Sequence, residues 1–207
     1  MISSLQIGKL APNFITVGVY KNRLGKIKLS DYQGKKYVIL FFYPANFASV
    51  TQTELSNLNQ KISEFQKLST QILAISIDSP FSHLHFLLLY QNKKEFEQLK
   101  YPLVSDLNQK ISKKYGLLTQ EGFALPGLFI VDKAGIIQYY TANNLLCGRS
   151  INELIHILKS IQYVKKYNGP SYPIDCNFSE DDLDSHSLMS KTFFTNLSSQ
   201  KKNLCQN

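Results

Sequence analysis

The apolar positions of the chain recur with two different periods, and the switches between them mark out its elements. Phe14 to Val19 and Ile27 to Leu29 are short apolar segments joined by Lys21-Asn22-Arg23-Leu24-Gly25, a pattern that predicts a β-hairpin with a glycine-containing loop. Asp31-Tyr32-Gln33-Gly34-Lys35 reads as a turn. Tyr37 to Tyr43 is a β-branched and aromatic run without alternation, as expected of a strand covered on both faces, and Pro44 ends it. Leu55, Leu58, Ile62 and Phe65 then fall at helical spacing and predict one helix over Thr53–Lys67. A second buried strand follows at Ile72–Ile77, with helices predicted at His83–Glu95 and Ile111–Tyr115. Leu128–Val131 and Ile136–Tyr140 flank Asp132-Lys133-Ala134-Gly135 as a second hairpin. Ser150-Ile151-Asn152-Glu153 is an S-x-x-E capping box opening an amphipathic helix through Val164, with Leu154, Ile157, Leu158 and Ile161 inward. Gly169-Pro170 and Pro173 break it, and an acidic stretch at Glu180-Asp181-Asp182 lies in what reads as an extended arm. The order βββαβα…ββα describes an α/β sandwich of thioredoxin-like type with an N-terminal β-hairpin. It divides as a domain over 1–167 and a C-terminal arm over 168–207.

Composition removes several classes of function. At 207 residues, 43% hydrophobic and 18% charged, the chain is long enough for a sizeable core and is neither fibrous nor disordered in character. Leu84–Tyr90 is too short to span a bilayer and contains His85, and no secretory leader pattern opens the chain, so no membrane association is expected. The net charge of +8 comes from lysines scattered in ones and twos, as at Lys35-Lys36, Lys93-Lys94 and Lys113-Lys114, which favours solvated faces over nucleic-acid binding. Three cysteines, Cys147, Cys176 and Cys205, have spacings that fit neither a CxxC motif nor a zinc site. His83 and His85, with Asp78 nearby, form an H-x-H that reads more readily as structural than as a metal site, so no metal or cofactor is expected.

The run Phe42-Tyr43-Pro44-Ala45-Asn46-Phe47-Ala48-Ser49-Val50-Thr51-Gln52-Thr53-Glu54 resembles the typical two-cysteine peroxiredoxins, which usually read F-Y-P-x-x-F-T-F-V-C-P-T-E here. Ser76-Ile77-Asp78-Ser79 with Phe81-Ser82-His83-Leu84, Tyr101 to Asp106, Gly127 to Asp132, Asn143-Asn144-Leu145 and Gly148-Arg149-Ser150 extend the likeness in order along nearly the whole chain. The wording is closest to cyanobacterial and plastid members. That implies a plastid stroma, or alternatively a bacterial cytoplasm, and a peroxiredoxin-type thioredoxin fold.

The resemblance also implies a chemistry: reduction of hydrogen peroxide and organic hydroperoxides with thioredoxin as reductant. A low-pKa thiolate attacks the O–O bond, becomes a sulfenic acid and condenses with a second cysteine. Family members shape that site with a Pro, a Thr and an Arg. Carried over by position, Pro44 is kept, Ala48 stands for the Thr, Thr51 for the peroxidatic Cys, and Pro126 for the Arg of an A-L-R-G-L-F stretch. The resolving cysteine falls at Tyr172 before Pro173, with Cys176 a few residues on as a displaced candidate. Glu54 and Arg149 are remnants. Thr51 has no oxidation ladder, and Thr51-Gln52-Thr53-Glu54 is itself a T-x-x-E capping box, so Thr51 is expected to cap the following helix. No intact catalytic set is therefore expected.

Three readings stay open: a peroxidase-inactive family member, a residual thiol peroxidase using Cys176 or Cys147, and a non-catalytic oligomeric interaction or holdase module. Cys147, far in sequence from the Pro44 motif, reads as a small apolar residue more readily than as a nucleophile. Retained Phe47, Phe81-Ser82-His83 and Lys191-Thr192-Phe193-Phe194 imply a homodimer or ring of dimers, with the Gly169–Phe178 arm reaching the partner's former site. The glycine-rich loop that relatives carry near Lys94–Glu97 is absent. Finally, Leu125-Pro126 sits where the wider thioredoxin superfamily often has a cis proline, so a cis bond is a specific expectation there.

Overall fold

A computed structural model describes residues 7–90, 99–145 and 147–167. The chain separates into two compact units, Met1–Ile155 and His156–Asn207, and only residues 156–167 of the second are described. The arm, with Cys176, Cys205, Tyr172-Pro173 and Phe193-Phe194, and the loop around Lys94–Glu97 lie outside the described residues.

The first unit is built on a seven-stranded mixed sheet of order β2-β1-β5-β4-β3-β6-β7. Its strands are β1 (Ile15–Tyr20), β2 (Arg23–Lys28), β3 (Tyr37–Phe42), β4 (Thr70–Ser76), β5 (Leu103–Ser105), β6 (Gly127–Val131) and β7 (Ile137–Ala142). Helices α1 (Ser49–Gln60), α2 (Ile62–Lys67), α3 (Pro80–Tyr90) and α4 (Lys110–Lys114) connect them, and α5 (Ile151–Tyr167) runs from the first unit into the second. The thioredoxin-like architecture expected from the pattern is the one observed.

The uninterrupted apolar run becomes β3, all six residues of which are buried, between β4 in parallel and β6 in antiparallel pairing. Val38, Leu40 and Phe42 face a core that holds Leu73, Ile75, Val104, Phe129, Ile111 of α4 and Tyr115 just after it. Ile39 and Phe41 are equally buried on the opposite face. A strand dry on both sides gains nothing from alternation, which is why its sequence shows none.

Local geometry departs from expectation in four places. The first hairpin turns on Lys21-Asn22 alone, both at positive φ (50° and 57°), so Arg23–Gly25 belong to β2 and not to a loop. Two consecutive left-handed residues match the twist of the flanking strands, and Asn tolerates that conformation well. The predicted helix over Thr53–Lys67 begins earlier, at Ser49, and breaks at Lys61 into α1 and α2. Leu103–Ser105 forms β5, for which three residues are too few to display a period. Every described peptide bond is trans, including Leu125–Pro126, so the expected cis proline is absent. Pro126 immediately precedes β6, where its missing N–H leaves no ladder bond unmade, and its carbonyl accepts from Asn143 N at 2.8 Å.

The serine half of the expected Ser150 capping box forms, with Glu153 N–H donating to Ser150 Oγ at 3.3 Å. Among the described residues no helix is long and apolar enough to cross a membrane.

Candidate functional site

Strand register assembles the site. Phe42 pairs with Ile75 of β4 and with Gly127 of β6, so Tyr43-Pro44 and Pro126 meet at one edge of the sheet. The loop from Pro44 to Ala48 then leads into α1. It is fastened by Asn46, which is fully buried. The Asn46 N–H donates to Asp78 Oδ2 at 2.9 Å and its Nδ2 to Ser82 Oγ at 3.3 Å. Its Oδ1 accepts from the Tyr43 hydroxyl at 2.9 Å and pairs with His83 Nδ1 at 3.0 Å. Asp78 also accepts from Ser76 Oγ at 2.7 Å and Ser82 Oγ at 3.0 Å. Sequence reading gave Asn46 no role; a lone Asn in a loop carries no signal until its partners are known.

His83 is tied into this network through Nδ1. It is completely buried, whereas His85, two positions on along α3, is exposed, so the H-x-H cannot converge on one ion. Among the described residues no group of three or more His, Cys, Asp or Glu could hold a metal. Burial pushes the His83 imidazole down to about 4, with the Asp78 carboxylate and then the Val104 backbone opposing the shift without prevailing. Neutral His83 must donate from Nδ1, because Asn46 Oδ1 only accepts, and Nε2 has no hydrogen-bond partner of good geometry. Burial likewise raises the Tyr43 phenol, which keeps its donor proton.

Behind the loop stands an ion pair, Arg149–Glu54, with side chains only 5% and 8% exposed. Arg149 Nε and Nη2 donate to the two Glu54 oxygens at 3.0 and 2.7 Å, and the Arg149 backbone N–H adds a third bond at 2.8 Å. Nη1 donates to the carbonyls of Phe42 and Gly127 at 2.8 and 2.9 Å, the two residues paired at the end of β3. The guanidinium lies 3.5 Å above the Phe41 ring. Glu54 and Arg149 thus fix α1 to the strand ends.

In front of the pair opens a cavity of about 410 Å³, lined by Pro44, Ala45, Ala48, Val50, Thr51, Glu54, Ile77, Phe123, Pro126, Leu145 and Cys147. A second, smaller cavity of about 230 Å³ lies at the other end of β3, beside Lys36 and Asp132. There the Asp132 carboxylate is occupied by Ile136 N and Gln138 Nε2 at 2.9 and 2.7 Å.

The larger cavity brings together Pro44, Ala48, Thr51, Pro126 and Glu54, with Arg149 bonded behind Glu54. Two expectations are corrected here. Thr51 does not cap α1: Ala48 is the N-cap, without a side-chain bond, and Thr51 is the third residue of the helix, its N–H bonded to Ala48 O at 3.1 Å. The T-x-x-E box fails because α1 already starts at Ser49, two residues before Thr51, and Glu54 is held by Arg149. Cys147 is not a small buried apolar residue either; it is an exposed free thiol on the cavity wall. The turn after β7, closed by Cys147 N–H to Asn144 O at 3.0 Å, carries it there, and sequence distance from Pro44 hid the contact.

Acidification should expose the cost of His83. Its unfolded pKa is about 6.5 and its folded value about 4, so the unfolded chain takes up the proton first, and stability is lost as pH falls between those values. The loss should reach at most about 3 kcal/mol. Denaturant midpoints at pH 7.5 and pH 4.5 should differ less for His83→Gln than for the parent; an unchanged difference would contradict the assignment.

The geometry sits in a chain with clear relatives. The AhpC/TSA family model matches residues 7–140. A protein of Trieres chinensis named as peroxiredoxin ycf42 is 64% identical over 95% of this chain and 97% of its own length. A chloroplastic 2-cysteine peroxiredoxin of Chattonella marina var. antiqua is 40% identical over 92% of this chain and 98% of its own. Among solved structures, the reduced 2-Cys peroxiredoxin of Plasmodium vivax superposes with a TM-score of 0.78 at 33% identity, covering 84% of this chain and 89% of that one. With this sheet, this loop and these relatives, the chain belongs to the AhpC/TSA family of peroxiredoxins.

Proposed function

We propose that this chain is a plastid peroxiredoxin-fold protein that no longer performs thiol-peroxidase chemistry at the start of α1. One observation carries the reading: the first turn of α1 lines the cavity with Val50 and Thr51, and the polar one of the two is an alcohol and not a thiol. Peroxide reduction needs an atom that accepts oxygen and then surrenders it. Sulfur does so through a sulfenic acid and a disulfide; an alcohol oxygen has no such states. The surroundings agree. Ala48 and Pro126 supply neither a pocket hydroxyl nor a guanidinium, and Arg149 is committed to Glu54 and two carbonyls. The plastid setting is supported by the chloroplastic 2-cysteine peroxiredoxin and by the peroxiredoxin ycf42 relative.

Assembly as a homodimer or ring of dimers belongs to the same proposal. Strand β7 lies at the end of the sheet order, its outer side bonded to Gly8 and Lys9 at Ile137, and Phe47 and Phe81 are 50% and 70% exposed. Such surfaces fit continued association. A second reading has one observation in its favour: Cys147 lines the same cavity and could sustain residual thiol peroxidase activity.

Purified chain supplied with thioredoxin should consume hydrogen peroxide no faster than its free thiols do without it. Thr51→Cys combined with Ala48→Thr and Pro126→Arg should recover more activity than the three single changes summed, because residues of one site act together. Saturable turnover by the parent, abolished by Cys147→Ser or by Cys176→Ser, would replace the first reading with the second. In sedimentation at micromolar concentration the chain should run as a dimer or larger, and a monomer would remove the assembly part of the proposal.

A further inference from the structure

We propose that the 410 Å³ cavity is a capture site for neutral, apolar α,β-unsaturated carbonyl compounds, which Cys147 traps covalently. The inference does not rest on the loss of peroxidase chemistry, since its product is a carbon–sulfur adduct and not a reduced peroxide.

The lining selects the ligand. Pro44, Ala48, Val50, Ile77, Phe123 and Pro126 offer carbon to most of any occupant, which calls for an alkyl or aryl body. Charge selects against ions. Glu54 reaches the cavity wall, but both its oxygens are held by Arg149, whose Nη1 donates to the Phe42 and Gly127 carbonyls. Neither a carboxylate nor an ammonium ligand would find a free counter-charge. What remains is a single polar fixture on the inner wall. Thr51 is 2% exposed, yet its hydroxyl enters none of the hydrogen bonds made by the described residues. Thr51 lines the cavity, and a ligand carbonyl oxygen there would accept its proton.

Cys147 supplies the reactive group. It is exposed and free while also lining the cavity, so it meets both solvent and occupant. The thiolate sulfur adds to the β-carbon of the conjugated carbonyl, forming a carbon–sulfur bond. The π pair of the carbon–carbon bond moves onto the carbonyl oxygen, where Thr51 donates its hydrogen bond. The enolate then takes a proton at the α-carbon. Net, S–H adds across the double bond, with no oxidant or reductant consumed.

The test compares acrolein, hexenal and nonenal (each with the double bond conjugated to the aldehyde) on the full chain, read by intact mass and peptide mapping. Adduct formation at Cys147 should rise with tail length, by roughly three- to fourfold for each methylene that fits inside the cavity. Cys176 and Cys205 should show no such trend. Ala48→Leu, which fills the cavity, should flatten the chain-length dependence at Cys147, with circular dichroism and a parent-like urea midpoint showing that the variant is folded. Thr51→Val should slow the adduct with every aldehyde and keep the dependence on tail length. Equal rates for all three aldehydes at Cys147, or a chain-length dependence that survives Ala48→Leu, would overturn the proposal.

Discussion

Arg149 and Glu54 hold the site end of this molecule together. Their pair is nearly dry, and taking two charges out of water is repaid only when geometry is good and the remaining donors are satisfied. The geometry meets the first condition, and the bonds that Arg149 makes meet most of the second. The guanidinium bonds both carboxylate oxygens, the ends of two adjacent strands and an aromatic face at once. Because the Arg149 backbone also binds Glu54, the segment leading into α5 and the first turns of α1 share one anchor. The cavity exists because these elements are held at that distance from Pro44 and Pro126.

This anchoring makes the shape of the site independent of the side chain at position 51. The groups that set its shape, Arg149, Glu54, Asn46 and Asp78, make their bonds with backbone and with one another. None depends on what stands at 51. Thr51 sits inside α1 with a normal helix N–H bond and puts no strain on the loop. The outcome is a well-formed pocket whose wall carries Thr51 and whose carboxylate, Glu54, is already paired.

How much of this was legible in the sequence depends on the range of the forces involved. Buried strands announce themselves, as Tyr37–Phe42 does, because their composition is set by being dry on both sides. Ordered motifs shared with known proteins carried the fold and the positions of Pro44, Ala48, Thr51 and Pro126 on one cavity. Signals that depend on tertiary partners were misread. The T-x-x-E box at Thr51 was sound local chemistry, but Arg149 claims Glu54 across ninety-five residues of chain. Cys147 looked remote for the same reason: only the pairing of β6 with β7 and the turn after it return the thiol to the cavity. Strand β5 is three residues long and owes its place to β1 and β4 on either side.

The most direct test of this account is a double-mutant cycle on the anchor, using Glu54→Gln, Arg149→Met and both together, with unfolding free energies from urea titration. Leaving one buried charge without its partner should cost about 3–5 kcal/mol in each single variant. The double variant, which strands no charge, should be clearly less destabilised than the two singles summed, with a coupling of at least about 1–3 kcal/mol. Additive losses, or single variants within about 0.5 kcal/mol of the parent, would contradict the claim that this pair carries the site.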